Sequence, residues 1–271
     1  MMFDKIQETA AFIKSKISIS PKFAVVLGSG LGGLTKAVTI TEELSYTDIP
    51  NFPQSTVEGH DGKLIFGTIG EKPVMMMAGR FHYYEGYDMQ EVTFPMRVMK
   101  ALGIETMIVS NAAGGMNADF NIGDIMFIRD HINLFPEHPL RGKNDDRLGV
   151  RFPDMSEPYN LAMLDKAHAI AREANILVKE GTYIGLQGPT FETRAEYKWL
   201  HVIGGDAVGM STVPEVIVAI HSGMKVFAAS IITDLGIREE LNTITHEEVL
   251  EAANAAAPKL EKIVSELIKS I

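Results

Sequence analysis

Several short apolar runs in this chain stop abruptly at small, polar or charged residues, with helix-patterned stretches between them. Residues 23–27 run into Gly28-Ser29-Gly30-Leu31-Gly32-Gly33. Residues 74–78 run into Gly79-Arg80-Phe81-His82-Tyr83-Tyr84-Glu85-Gly86, and residues 106–110 stop at Asn111-Ala112-Ala113-Gly114-Gly115. Residues 225–233 end at Asp234. Runs of this length, bounded by turn residues, read as buried strands. A further strand at 64–69 joins the run at 74–78 through Gly70-Glu71-Lys72-Pro73, a hairpin turn.

The intervening segments carry helical spacing. Phe3, Ile6, Ala10, Ile13 and Ile17 share one face of a helix over 3–18. Asp88 and Glu91 form a capping box for 89–101, as do Thr245 and Glu248 for the tail from His246. Residues 160–174, 193–203 and 213–222 are further helices. Strands alternating with helices predict an α/β fold with a largely buried sheet. At 271 residues and 46% apolar content the chain suits one large domain. Residues 135–158 read as one long, polar, Pro-containing loop, and loops of that length are often functional.

Composition excludes several chemistries. With no cysteine there is no disulfide scaffold, no thiolate metal site and no cysteine nucleophile. The eight histidines do not fall at metal-ligand spacing and there is no His-Glu-x-x-His, so no metal is expected. Met75-Met76-Met77 reads as core strand. A net charge of -10 argues against a broad nucleic-acid surface but permits one local anion site. The start of the chain lacks a basic stretch followed by an apolar run, and no run approaches the roughly 18 apolar residues of a membrane span. A cytoplasmic protein with no membrane partner is expected.

In α/β sheets, ligands collect beyond the carboxyl ends of strands. The small residues of Gly28–Gly33 let backbone N–H groups and the Ser29 hydroxyl approach an anion, or form a simple tight turn. The spacing of Gly28, Gly30 and Gly33 looks like a dinucleotide fingerprint. Yet no strand ending in an acid follows about 20 residues on, and no Gly-Lys-Ser/Thr marks a P-loop. Arg80 and His82, at i and i+2 of an extended segment, share a face and can share an anion. Ser211 lies near a helix start, where it either helps bind an anion or caps the helix. Ala112, Ala113 and Gly114 permit a flat ligand against the backbone, or close packing of a loop. Glu192, after Phe191, either meets a heterocycle or caps the next helix.

Taken together, these blocks resemble the trimeric, low-molecular-mass purine nucleoside phosphorylases, a family that includes the methylthioadenosine phosphorylases. The resemblance covers nearly the whole chain. Besides the segments after 23–27, 74–78 and 106–110, it rests on Asp130-His131-Ile132-Asn133-Leu134, Gly188-Pro189-Thr190-Phe191-Glu192-Thr193 and Gly209-Met210-Ser211-Thr212-Val213-Pro214-Glu215. It implies one domain with a central mixed, partly barrel-like sheet flanked by helices. It also implies reversible phosphorolysis of purine (deoxy)ribonucleosides, with inorganic phosphate as co-substrate and no cofactor. Phosphate would lie with Ser29, His60, Arg80, His82, Ser211 and the Ala112 N–H. Tyr84, Met210 and His246 would meet the ribose, His246 at its 5′-hydroxyl. Phe152 would enter a neighbouring subunit's ribose site, which implies a homotrimer. Ala112, Ala113, Gly114, Phe191, Glu192, Val208 and Asp234 would frame the base. His82, Glu192, Asp234 and His246 are the expected catalytic group.

The chain departs from the 6-oxopurine-specific members at Asp234, where they usually carry Asn. An Asn side chain both donates and accepts, whereas an ionised Asp only accepts. The expectation is inosine and guanosine as substrates, with widened tolerance for 6-aminopurines. A methylthioadenosine phosphorylase is the nearest alternative, since Asp at this position resembles that branch. Glu192 and His246 favour the first reading. An NAD enzyme and a non-catalytic nucleoside or phosphate sensor are the alternatives from other classes.

Overall fold

The computed structural model describes residues 1–28, 31–56, 61–236 and 244–271. Among the described residues, a mixed sheet of nine strands forms the centre. The strands are β1 (Phe23–Val26), β2 (Thr39–Ser45), β3 (Lys63–Ile69), β4 (Lys72–Ala78), β5 (Thr106–Gly115), β6 (Ile125–Asn133), β7 (Val178–Gly185), β8 (Ala207–Gly209) and β9 (Lys225–Leu235). Their order is β2-β3-β4-β1-β5-β8-β7-β6-β9, and β9 pairs back onto β5. Five strands therefore close into a ring, and β1 to β4 extend it as an open wing. Closure removes the free edge that β9 would present, and β2 is left as the edge of the wing.

The helices are α1 (Met2–Lys14), α2 (Met89–Leu102), α3 (Leu161–Glu173), α4 (Arg194–Val202), α5 (Val213–His221) and α6 (His246–Ser270). The capping boxes read from Asp88/Glu91 and Thr245/Glu248 are present. Residues 213–219 of α5 are all buried, as an interior helix between sheet and α2 requires. Met75, Met76 and Met77 are fully buried in β4, between β3 and β1. Residues 134–160 contain neither helix nor strand.

Four readings change. The third apolar run does not stop at Ser110: β5 continues through Gly115, because β9 pairs with it along its whole length. The helix read over 3–18 ends at Lys14, before the turn at Ser15-Lys16. The hairpin turn is Gly70-Glu71 alone, with Gly70 at φ +60° and Lys72 already paired to Ile69. Strands β2, β6, β7 and β8 add to those read from the sequence: β2, β7 and β8 lack a long apolar run, and β6 has one only in Ile125–Ile128 before it turns polar. Among the described residues, no helix is long and apolar enough to cross a membrane.

Candidate active site

Strand β1 is parallel to β4 and β5, and β5 to β9, so four carboxyl ends fall on one edge. Strand β8 runs antiparallel to β5, with Val208 opposite Gly114. The chain leaving β8 therefore passes back alongside Ala112 and Asn111. These ends, with the segments after β4 and before α4, wall a cavity of about 400 Å³.

One cluster in the cavity is built around the guanidinium of Arg80. Arg80 is only 1% exposed. Its Nε lies 3.2 Å from Glu215 Oε1, and its Nη1 donates to Ser211 Oγ at 2.9 Å. Glu215 Oε2 accepts the Thr212 N–H at 3.0 Å, so this one carboxylate closes the start of α5 and holds Arg80. Thr212 has φ +69° and ψ -56°, and the Val213 N–H donates to the Ser211 carbonyl at 2.7 Å. That is a γ-turn of the strained, positive-φ hand. Asn111 Nδ2 secures it by donating to Thr212 Oγ1 at 2.9 Å. Thr212, not Ser211, is the N-cap of α5, which leaves Ser211 turned to Arg80.

His82 joins this cluster. Its backbone N–H and ring Nδ1 lie 2.8 and 3.0 Å from Glu85 Oε1. The Thr56 N–H and hydroxyl donate to Glu85 Oε2 at 2.9 and 2.6 Å. Burial alone would raise Glu85, but these donors outweigh it and hold the carboxyl at about 2. Burial pushes His82 below its ordinary value, against the opposing pull of Glu85. The Glu85 contact assigns a proton to Nδ1. The ring stacks on Tyr84 with centroids 4.7 Å apart at 15°.

The second cluster is carboxylic. The β5–β9 register slips between Ala113 and Gly114, so Gly114 faces Asp234 with Thr233 as the extra residue. Bulges of this kind re-aim side chains beside active sites. Here both Thr233 and Asp234 reach the cavity. Asp234 is buried, its Oδ2 accepting from the Tyr197 hydroxyl at 2.9 Å and its Oδ1 from Thr233 Oγ1 at 3.1 Å. Glu192 is pushed up to about 7, chiefly by burial, with Asp234 and Glu196 adding repulsion. Thr193 and Glu196 cap α4, so Glu192 is not needed for the cap.

Every expected site residue among the described residues except Phe152 lines this cavity. Arg80, His82, Ala112 and Ser211, expected at the anion, line it, as do Tyr84, Met210 and His246, expected at the sugar, and Ala113, Gly114, Phe191, Glu192, Val208 and Asp234, expected at the base. Ser29 and His60 lie outside the described residues. Phe152 is 86% exposed and does not line its own chain's cavity. Tyr197, Asn111, Thr233 and Val249 line it too and were not expected. Tyr197 carries chemistry, yet an aromatic at helical spacing reads as core. Its only sequence signal is its place five residues beyond Glu192. Among the described residues, no group of three or more His, Asp or Glu side chains is placed to hold a metal ion.

A model of the phosphorylase superfamily matches residues 22–269. The chain is 51% identical to the purine nucleoside phosphorylase of Rattus norvegicus over 276 residues, covering 99% of this chain and 96% of that protein. It is 48% identical to purine nucleoside phosphorylase 1 of Bacillus subtilis (strain 168), with 98% of each covered. A solved structure of Schistosoma mansoni purine nucleoside phosphorylase in complex with adenosine superposes with a TM-score of 0.94 at 40% identity, covering 99% of this chain and 97% of that one. A schistosoma purine nucleoside phosphorylase in complex with hypoxanthine matches with the same TM-score, 0.94, at 39% identity and the same coverage, 99% and 97%.

Proposed function

The chain belongs to the low-molecular-mass purine nucleoside phosphorylases of the phosphorylase superfamily, and from that premise we propose how its cavity performs the reversible phosphorolysis of purine (deoxy)ribonucleosides. The observation that carries the reading is the pairing of two clusters in one cavity. Arg80, His82 and Ser211 present donors suited to a phosphate. Glu192, Asp234 and Phe191 present acceptors and an apolar ring suited to a purine edge and face.

Phosphate held by Arg80, His82, Ser211 and the Ala112 N–H is the nucleophile. Ser29 and His60 complete its shell by resemblance to the family. One phosphate oxygen bonds to C1′ as the C1′–N9 bond breaks, and the bonding pair leaves on the purine. The anomeric centre inverts, and the products are free base and (deoxy)ribose 1-phosphate. Positive charge on the sugar in the transition state is met by the phosphate anion, and the proton that the phosphate gives up on becoming an ester passes to the departing purine, which leaves as the neutral base. Glu192 divides between acid and carboxylate near neutrality, which suits it to anchor N1. Tyr84 and Met210 hold the ribose and His246 its 5′-hydroxyl. Phe152, from the next subunit of a homotrimer, closes the sugar site.

A substrate panel tests this. Inosine, guanosine, adenosine and methylthioadenosine are incubated with and without phosphate, and base and sugar phosphate are quantified. Phosphate-dependent release of base, with inosine and guanosine among the substrates, is the expected result. A strong preference for methylthioadenosine overturns the substrate assignment. Nucleoside binding without turnover overturns the catalytic reading in favour of a sensor.

A further inference from the structure

Two glycines make room for Tyr197 at the carboxylic wall of the cavity. A Cβ on Gly236 would lie 2.1 Å from the Tyr197 ring. A Cβ on Gly114 would lie 2.6 Å from the Tyr197 hydroxyl and 2.9 Å from Asp234 Oδ2. Bare backbone on β5 and just beyond β9 thus admits the ring and leaves space for its hydrogen bond to Asp234. The ring itself is buried with Met116, Ile184, Leu200 and Val208. The same hydroxyl also reaches the Glu192 carboxyl. One phenol therefore ties together the two carboxyl groups that the proposed function assigns to the base.

A hydroxyl has one proton to give. Given to Asp234 Oδ2 at 2.9 Å, it stabilises the ionised carboxylate and fixes its plane. Thr233 adds a second donor on Oδ1. An ionised Asp234 is an acceptor only. It matches the amino group of a 6-aminopurine and opposes the carbonyl of a 6-oxopurine. We infer that Tyr197 is a specificity-determining positioning residue, which holds Asp234 as an oriented carboxylate and so widens the site to 6-aminopurine nucleosides. It acts through Asp234, not on the reacting atoms.

Among the described residues, the titratable and charged groups around Asp234 in this cavity come from three sides. Glu192 and Tyr197 come from the α4 side and His246 from α6. Arg80, His82 and Tyr84 come from the segment after β4. Tyr197 donates to Asp234 Oδ2. Removing its oxygen takes a donor from the ionised form and favours the neutral acid, which can face a 6-oxo group.

The inference rests on the phosphorolysis reading, and the experiment separates the two. We would measure kcat/KM for inosine and adenosine from pH 5 to 9 in the wild type, Tyr197→Phe, Asp234→Asn and the double variant. Phenylalanine keeps the ring in its glycine-lined slot. The wild type is expected to cleave both nucleosides, and Tyr197→Phe to raise the inosine-to-adenosine ratio about tenfold. The pH at which that ratio changes should move upward in Tyr197→Phe. In the Asp234→Asn background the same substitution should leave the ratio nearly unchanged. A loss of packing alone would lower both substrates together and leave the ratio and its midpoint in place.

A ratio within about twofold of wild type overturns the inference, as does a wild type inactive on adenosine but active on inosine. A wild type that cleaves neither overturns the phosphorolysis reading beneath it. Should Tyr197→Phe not fold, Gly114→Ala wedges the same contact apart with the phenol intact. It must shift the ratio in the same direction, or the inference fails.

Discussion

Glu192 holds its proton to about pH 7, against an ordinary value of 4.5, because it is largely withdrawn from water beside Asp234. Between those two values the folded chain binds more proton at this site than the unfolded chain. The contribution of Glu192 to stability is therefore whole below pH 4.5 and is lost as pH rises through about 7. Glu192→Gln should abolish that loss. In urea unfolding at pH 5 and pH 8, the wild type should lose about 2 kcal/mol more than the variant, after allowing for solvent around the part-exposed carboxyl. Glu215 is the opposite case, a carboxylate buried on purpose against Arg80 and the start of α5. Glu215→Gln should cost about 3 kcal/mol in the same assay. It should also raise the KM for phosphate more than that for nucleoside, because the guanidinium loses its alignment. The partnership of Arg80 with His82 was legible, since alternation along an extended segment fixes which side chains share a face. Glu215, Thr212 and Tyr197 were not legible as partners of the site. Their roles depend on contacts between segments 37 to 135 residues apart in the chain, such as Tyr197 with Asp234 and Arg80 with Glu215.

The elements divide in the same way. Helices with a cap and an apolar stripe, such as α2 and α6, could be read to within a residue or two at the start because both signals are local. Strands β1, β3, β4 and the first half of β5 announce themselves as apolar runs. The second half of β5 reads as a loop because Asn111-Ala112-Ala113-Gly114-Gly115 has neither branched nor aromatic side chains. It is a strand because β9, and then β8, pair with it. Likewise β6 turns polar at Arg129-Asp130-His131, where its register with β7 slips, and β8 is three residues long. Ring closure is a long-range property and leaves little local trace. The local signal at α6 has a functional consequence. His246 is the first residue of this 25-residue helix, and Thr245 Oγ1 accepts the Glu248 N–H at 3.2 Å. Thr245→Ala should cost about 1 kcal/mol of stability, measured by urea unfolding, and let the first turn fray. Because His246 lines the cavity, kcat/KM for a nucleoside should fall more than for its 5′-deoxy analogue, which lacks the hydroxyl proposed to meet the histidine.

At the scale of the whole molecule, a chain of net charge -10 gathers Arg80, His82 and Ser211 at one cavity and leaves the Phe152 ring outside it. The loop that carries Phe152 is not loose. Arg97 Nη1 donates to the Leu148 carbonyl at 3.1 Å, and His221 Nε2 to the Val150 carbonyl at 2.8 Å, so α2 and α5 tie it down. Arg151 Nη1 donates to the Leu140 and Gly142 carbonyls at 3.0 Å each. A fixed loop presenting an exposed phenylalanine suits a ring meant for another subunit, and subunit mixing can test it. In the proposed trimer, Phe152→Ala would leave a subunit's own donors intact but lend no ring to its neighbour, whereas Arg80→Ala would disable the subunit's own proposed phosphate site but still lend Phe152. Each variant alone should be nearly inactive. In co-assembled rings, a Phe152→Ala subunit that receives the ring of an Arg80→Ala neighbour is complete. For random mixing at equal amounts in a cyclic trimer this restores about a quarter of the sites. Phosphorolysis measured after refolding the mixture should therefore exceed the sum of the two variants refolded apart. Activity equal to that sum would mean that each site uses only its own chain, and Phe152 would then have no part in it.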